Sequence, residues 1–279
     1  MELSIVLMII GTLLVGVTQG TGMINSARLT NARSNTIQSP VAKMDGLVAW
    51  YETSLRDSLK SAEQVNAAKI TEWRDISPSS IAAQKNKLTR SASIAVVYRL
   101  AAINKVPAIE FNGTAKISLA SFYQGATAQA TIFLVFKTNY NPSGTQVTLF
   151  DADTSQSTFS LGIKSTTVSL NAGTAVDTAT GTNPASFNGG ASYIVAAYFN
   201  GSSSHAYVND ATTKAGNGNI NSGSNSLNGV TIGSNKSGGA GFTGMIAEVI
   251  IFNRPLQLQE RKDVMSYLSK KYKISVTGL

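Results

Sequence analysis

The 279-residue chain contains no cysteine and a single histidine, His205. The first absence excludes disulfides, thiolate metal sites and cysteine nucleophiles together. The second excludes a zinc site built from several imidazoles, and any Ser/His/Asp triad would depend on one residue. His205 lies in Ser202-Ser-Ser-His-Ala-Tyr-Val, an alternating strand pattern in which a structural role is the simplest reading. Charge is also scarce, at 14% of residues, yet it leaves a net +8. The cations are scattered except for Lys270, Lys271 and Lys273 beside Arg261 and Lys262, where positive charge suits the end of a helix. With no basic stripe, a nucleic-acid partner is not expected. The Gly-rich stretch 222–241 has no Gly-Lys-Ser/Thr ending, which removes a phosphate loop.

The chain opens on an apolar run. Residues 3–17 read LSIVLMIIGTLLVGV, apolar on every side and about 22 Å long as a helix. A secretory signal would begin with a cation, but none occurs before Arg28 and the run starts with an acid, Glu2. A carboxylate at the edge of a bilayer or a dry helix bundle costs several kcal/mol unless it is paired. Gly16, Gly20 and Gly22 each weaken the helix by about 1 kcal/mol relative to alanine, so local melting is expected there. Residues 23–34 resume the helix with Ile24, Ala27 and Ala32 inward and Arg28 and Arg33 outward, until Pro40 ends it.

Glu2, with Gly11 nine residues later in an otherwise uncharged apolar helix, resembles the type IV pilin family over residues 1–35. The resemblance implies a homopolymeric filament with Leu3, Ile5, Val6, Leu7, Ile9, Ile10 and Leu14 in its core. Glu2 would pair with a neighbour's terminal amine, so Glu2, Met1 and Gly11 form the assembly set. It also implies a prepilin peptidase, N-terminal methylation and pilus assembly machinery, with the inner membrane as waiting place and the bacterial cell surface as destination. The family's processed residue lies three positions further upstream than Met1 allows, which is a departure.

From Asp45 onward, short β-rich runs alternate with Gly, Asn and Ser clusters, at 108–111, 131–136, 147–150, 193–199, 205–208, 230–232 and 246–252. Gly46-Leu-Val-Ala-Trp-Tyr, Trp73-Arg-Asp-Ile-Ser, Asn104-Lys-Val-Pro-Ala-Ile-Glu-Phe-Asn-Gly and Ile246-Ala-Glu-Val-Ile-Ile-Phe-Asn-Arg-Pro-Leu resemble the concanavalin A-like, laminin G-like family. That resemblance spans 45–274 and implies a two-sheet jelly roll that binds glycans or calcium and in some branches hydrolyses β-glucans. A C-terminal helix through Val264, Leu268 and Tyr272 follows from their spacing. The expected architecture is a long N-terminal α-helix (1–38), a linker (39–45) and a mainly-β sandwich head (46–279) with a C-terminal α-helix.

Hydrolysis by a retaining glucanase needs two acids about 5–5.5 Å apart, and no compact acidic motif occurs. Asp151 and Asp153 are the nearest pair; a turn role suits them, with calcium the ion they would help hold. Tyr51, Trp73, Phe122 and Tyr123 could offer a sugar-stacking platform, against which Trp50 and Trp73 read as core anchors. Asn112-Gly-Thr, Asn200-Gly-Ser and Asn235-Lys-Ser fit the N-glycosylation pattern. The expectation is a non-enzymatic structural subunit of an extracellular pilus-like filament, with surface glycans as further partners and no required cofactor. Its alternatives are a membrane-tethered glycan-binding lectin-like protein that does not polymerise, or a minor pseudopilin.

Overall fold

The computed structural model describes residues 2–78, 86–90, 94–142, 144–153, 159–173, 177–180, 186–216 and 218–279. Helix α1 (Glu2–Ile37) is followed by β1 (Leu47–Glu52), β2 (Glu72–Trp73), β3 (Leu88–Arg90), β4 (Val97–Ile103), β5 (Val106–Asn112) and β6 (Ile117–Leu119). Then come β7 (Ala130–Thr138), β8 (Val147–Asp151), β9 (Ser160–Lys164), β10 (Thr167–Asn171) and β11 (Asp177–Thr180). Finally β12 (Ser192–Phe199), β13 (His205–Val208), β14 (Val230–Ile232) and β15 (Thr243–Phe252) lead into α2 (Leu258–Tyr272). All seven strand runs expected from sequence lie within β5, β7, β8, β12, β13, β14 and β15.

The strands form two antiparallel sheets. One runs β13-β12-β7-β15-β5-β4, with β1 also on β15, and the other runs β11-β10-β9-β8-β14-β6-β3-β2. Strand β15 is long enough to pair with β7 along one edge while β5 and β1 share the other. Side chains on a strand alternate between faces, and here both faces of the first sheet are dry. Ile132, Leu134, Phe136, Val195, Val249 and Ile251 point into the inter-sheet core. Phe133, Val135, Ile194, Ala196, Ile250 and Phe252 point the other way, into a second core capped by Val264, Met265 and Leu268 of α2. This double burial explains why β7 reads as a continuous apolar run, and β15 as one interrupted by Glu248, rather than as alternating strands.

The start of α2 is set by Glu260, whose carboxylate accepts the Gln257 N–H at 2.8 Å and a two-pronged contact from Arg254 at 2.8 and 2.5 Å. This mutual contact lowers the Glu260 pKa and raises that of Arg254. Glu260→Ala is therefore expected to destabilise the protein by about 1–2 kcal/mol, read as a lower urea midpoint at unchanged m-value.

The N-terminal helix runs over Glu2–Ile37, close to the expected span, and meets the head through its last turns. Its backbone is helical through Gly16, Gly20 and Gly22, so the expected melting is not seen. Ala32 and Thr36 are buried against the head, and Arg33 Nε donates to the Ser54 carbonyl at 2.8 Å. Ile24, expected inward, is exposed. Among the described residues, no helix is long and apolar enough to cross a membrane.

Where α2 meets the first sheet, Glu52 of β1 stands directly opposite Glu248 of β15, and both are buried. Like charges facing across a ladder repel, so the pairing requires a cation. Lys271 of α2 supplies it, with Nζ 2.8 Å from both Glu52 Oε2 and Glu248 Oε2. Glu248 also accepts from Trp50 Nε1 (2.7 Å), Tyr267 Oη (2.6 Å) and Tyr272 Oη (2.9 Å). Glu52 accepts from the Ser54 and Leu55 N–H groups and from the Ser54 and Ser58 hydroxyls.

Candidate functional site

In the second sheet, Trp73, Leu88, Ile117, Ile232, Phe150, Leu161 and Leu170 all belong to the inter-sheet core. Their chain neighbours therefore face outward, and the register brings these into one line. Glu72 pairs with Thr89, Thr89 with Ser118, Ser118 with Thr231, Thr231 with Asp151, Asp151 with Ser160 and Ser160 with Asn171. The result is a wholly polar seam across seven strands, about 29 Å long at about 4.8 Å per strand. A second polar row, Thr148, Gly162, Ser169 and Thr178, flanks it.

The seam is open at Thr89 and Ser118 and covered toward Asp151 and Thr231, both 0% exposed. Part of the cover is the turn at 234–239. Its Lys236 N–H donates to Asp151 Oδ2 at 2.9 Å, and Lys236 Nζ reaches the Asp153 carbonyl. Lys116 Nζ in turn donates to the Lys236 carbonyl, and Thr231 Oγ1 donates to Asp153 Oδ1 at 2.9 Å. The two aspartates singled out in the sequence are thus brought together, and they anchor the roof of the seam. At the far end, Glu72 is surrounded by Arg74 (2.7 Å), Lys87 (3.1 Å) and Lys60 (3.8 Å). Burial pushes the Glu72 carboxyl pKa up, but Arg74 and Lys87 outweigh it and hold it below the usual range.

Four strand steps separate Glu72 from Asp151, about 19 Å. Two-carboxylate glycoside hydrolysis works at about 5–9.5 Å, so these two acids cannot act as one pair. Among the described residues no group of three or more His, Asp or Glu is placed to hold a metal ion. Glu72, Thr231, Asp151, Ser160 and Asn171 are buried, so what the seam offers a hydroxyl-rich ligand is its Thr89–Ser118 stretch, with Thr89 exposed and Ser118 half-buried.

The remaining sequence candidates fall elsewhere. Tyr51, Trp73 and Phe122 are buried in the inter-sheet core, which leaves Tyr123 as the one exposed member of the expected aromatic platform. Trp50 is a core residue on the α2 side. His205 stacks on Tyr198 at 4.6 Å, and burial pushes its pKa down. Val6, Leu7 and Ile10 are exposed and Gly11 is part of α1, whereas Met1 and the side chains of Glu2, Leu3, Ile5, Ile9 and Leu14 lie outside the described residues. The seam itself was missed. Each strand shows a polar residue between apolar ones, as in Leu88-Thr-Arg, Ile117-Ser-Leu and Val230-Thr-Ile, but their alignment exists only once the register is set.

Two antiparallel sheets packed face to face, with a C-terminal helix on one of them, define a jelly-roll β-sandwich. Residues 111–260 match the family model described as the concanavalin A-like lectin/glucanases superfamily, and the chain belongs to that family. Among solved structures it is similar to domain 4 of a GH43 extracellular arabinanase from Geobacillus stearothermophilus in complex with arabinotriose. The identity is 16%, the TM-score 0.51, and the match covers 78% of this chain and 98% of that domain. It is also similar to a Trypanosoma rangeli sialidase mutant displaying trans-sialidase activity (15% identity, TM-score 0.57, 88% of this chain and 38% of that one). An arabinofuranosidase complexed with arabinofuranosyl-α-1,2-xylobiose is a third (10% identity, TM-score 0.55, 73% and 51%). The chain thus spans about two fifths of that sialidase and about half of the arabinofuranosidase. No curated protein matches the chain.

These findings correct two expectations. The pilus-subunit reading is overturned: the matched family is the concanavalin A-like lectin/glucanases superfamily, and the similar solved structures are an arabinanase domain, a sialidase and an arabinofuranosidase. It rested on one acid and one glycine in an apolar stretch, whereas the family match rests on the sandwich itself. The non-enzymatic assignment, drawn from the missing acidic motif, is overturned as well, because the same sandwich occurs within glycosidase chains. An acid inventory along one strand is too local a criterion, since a sheet brings together residues far apart in sequence.

Proposed function

We propose that the chain is a carbohydrate-binding domain of the carbohydrate-active type, and that it takes a glycan along the outer face of the second sheet. The observation that carries this reading is the polar seam from Glu72 to Asn171, whose open stretch lies at Thr89 and Ser118. A neutral, hydroxyl-rich chain laid across the strands would exchange hydrogen bonds with the Ser and Thr hydroxyls while Lys87 and Lys116 frame its edge. Arabino-oligosaccharides are the first ligands to try, because the arabinanase domain matched over nearly its whole length carries arabinotriose. A surface glycan is the partner this reading assigns.

Calorimetric titration of the full chain with arabinotriose, arabinofuranosyl-xylobiose and sialic acid tests it. Saturable binding to one of them is expected, weakened at least tenfold by Thr89→Arg combined with Ser118→Arg. Thr89 is exposed and Ser118 half-buried on the outer face, so the variant should stay folded, which its melting temperature checks. Binding to none, or binding untouched by the two arginines, would overturn the reading. Reducing sugar released in the same mixtures would add a catalytic step to it.

A further inference from the structure

Helices α1 and α2 pack side by side at their C-terminal ends, and between them lies a cleft of about 250 Å³. Arg28, Asn31 and Asn35 fall at i, i+3 and i+7 of α1, with Ser34 beside them, so one helix face turns all four into the cleft. The last turn of α2 adds Lys270, and Lys273 follows immediately after it. No acidic residue lines the cleft. Lys271 also borders it, but its charge is already matched by Glu52 and Glu248. Among the described residues Arg28, Lys270 and Lys273 make no ion pair, and all three are exposed. Three cations held around one small cleft repel one another, and an anion placed between them removes that repulsion. The negative end of α2 would oppose an anion, but Asn104 Nδ2 donates to the Tyr272 carbonyl at 2.7 Å and blunts it.

We infer that this cleft binds a tetrahedral oxyanion, sulfate or phosphate, free or as an ester. Arg28 offers a planar fork of donors, and Lys270 and Lys273 act as point charges. The amides of Asn31 and Asn35 and the Ser34 hydroxyl complete the set with neutral donors. The site lies on the α2 side of the first sheet, with both sheets between it and the seam, so it does not depend on the glycan reading.

The test is thermal unfolding of the full chain in increasing sodium sulfate or phosphate at ionic strength held constant with chloride, for wild type and Arg28→Gln/Lys270→Gln. Sulfate and phosphate stabilise proteins generally by exclusion from the surface, so the difference between the two proteins is the readout. A saturable rise in wild-type Tm in the millimolar range, with at least tenfold weaker dependence in the variant, is expected. Parallel, non-saturating rises in both proteins would overturn the assignment, and equal far-UV circular dichroism confirms that the variant is folded. Glucose 6-sulfate and glucose 6-phosphate identify the source: tighter binding than the inorganic ion assigns the cleft to an ester, weaker binding to the free anion, and both uphold the site.

Discussion

Lys271→Met is expected to destabilise the protein by about 3–5 kcal/mol, lowering Tm by on the order of 10 °C. The substitution removes the cation that, among the described residues, lies between Glu52 and Glu248, which face each other across the ladder in a dry interface. Burial alone would raise the Glu52 pKa, but the Lys271 charge, its hydrogen bond and those of Ser54 and Ser58 outweigh it and hold the pKa at about 2. A carboxyl depressed from its usual value contributes stability that is fully present above about pH 4.5 and is lost as pH falls toward 2, about 3 kcal/mol in all. Burial pushes Lys271 down, yet the two glutamates raise its pKa above the ordinary lysine value. Its contribution is therefore complete at neutral pH and fades only in the alkaline range. From pH 8 to 5 wild type should lose stability only through His205, whose lowered pKa favours the unfolded state below about pH 6.5, whereas Lys271→Met should gain stability on acidification as one of the facing carboxylates takes a proton. Adding Glu52→Gln to Lys271→Met should regain part of the loss, because the repulsion then disappears with the cation. Urea unfolding across that pH range checks all three statements.

Trp73→Ala is expected to cost about 3–5 kcal/mol through the cavity it leaves. The ring is fully buried, lies 5.8 Å from that of Tyr51, and its Nε1–H donates to the Glu52 carbonyl at 2.6 Å. Trp73→Phe keeps most of the volume but leaves that carbonyl without its partner, for a loss of about 1–3 kcal/mol. Neither substitution should change glycan affinity in protein that remains folded, because the ring faces the inter-sheet core and not the seam. Denaturant midpoints measured beside calorimetric affinities separate the two effects. A large affinity loss at unchanged stability would return Trp73 to the sugar-stacking role considered from the sequence.

The elements legible in the sequence are those whose burial repeats a simple period. Strands β7, β12 and β15 read as apolar runs because two cores clasp them, and α2 declared itself through Val264, Leu268 and Tyr272. Short strands such as β2, β3 and β6, of two or three residues, carry too few positions for a period to appear. They nevertheless supply the open end of the seam, so the functional face was the least visible part of the chain. Asp151 and Asp153 were found as an acid pair, but their ties to Lys236 and Thr231 join residues 78 to 85 positions apart. The Lys270–Lys273 cluster read as a solvated helix end, and only the packing of α1 beside it adds Arg28 and makes it a cleft.

The most direct measurement of the central claim is amide NMR of the labelled chain titrated with arabinotriose. The predicted result is a saturable set of shifts centred on Thr89, Ser118, Lys116 and Lys236, with the α2 side unchanged. Shifts confined to α2 and the outer face of the first sheet, or no saturable shift with arabinotriose, arabinofuranosyl-xylobiose or sialic acid, would contradict a glycan site on the seam.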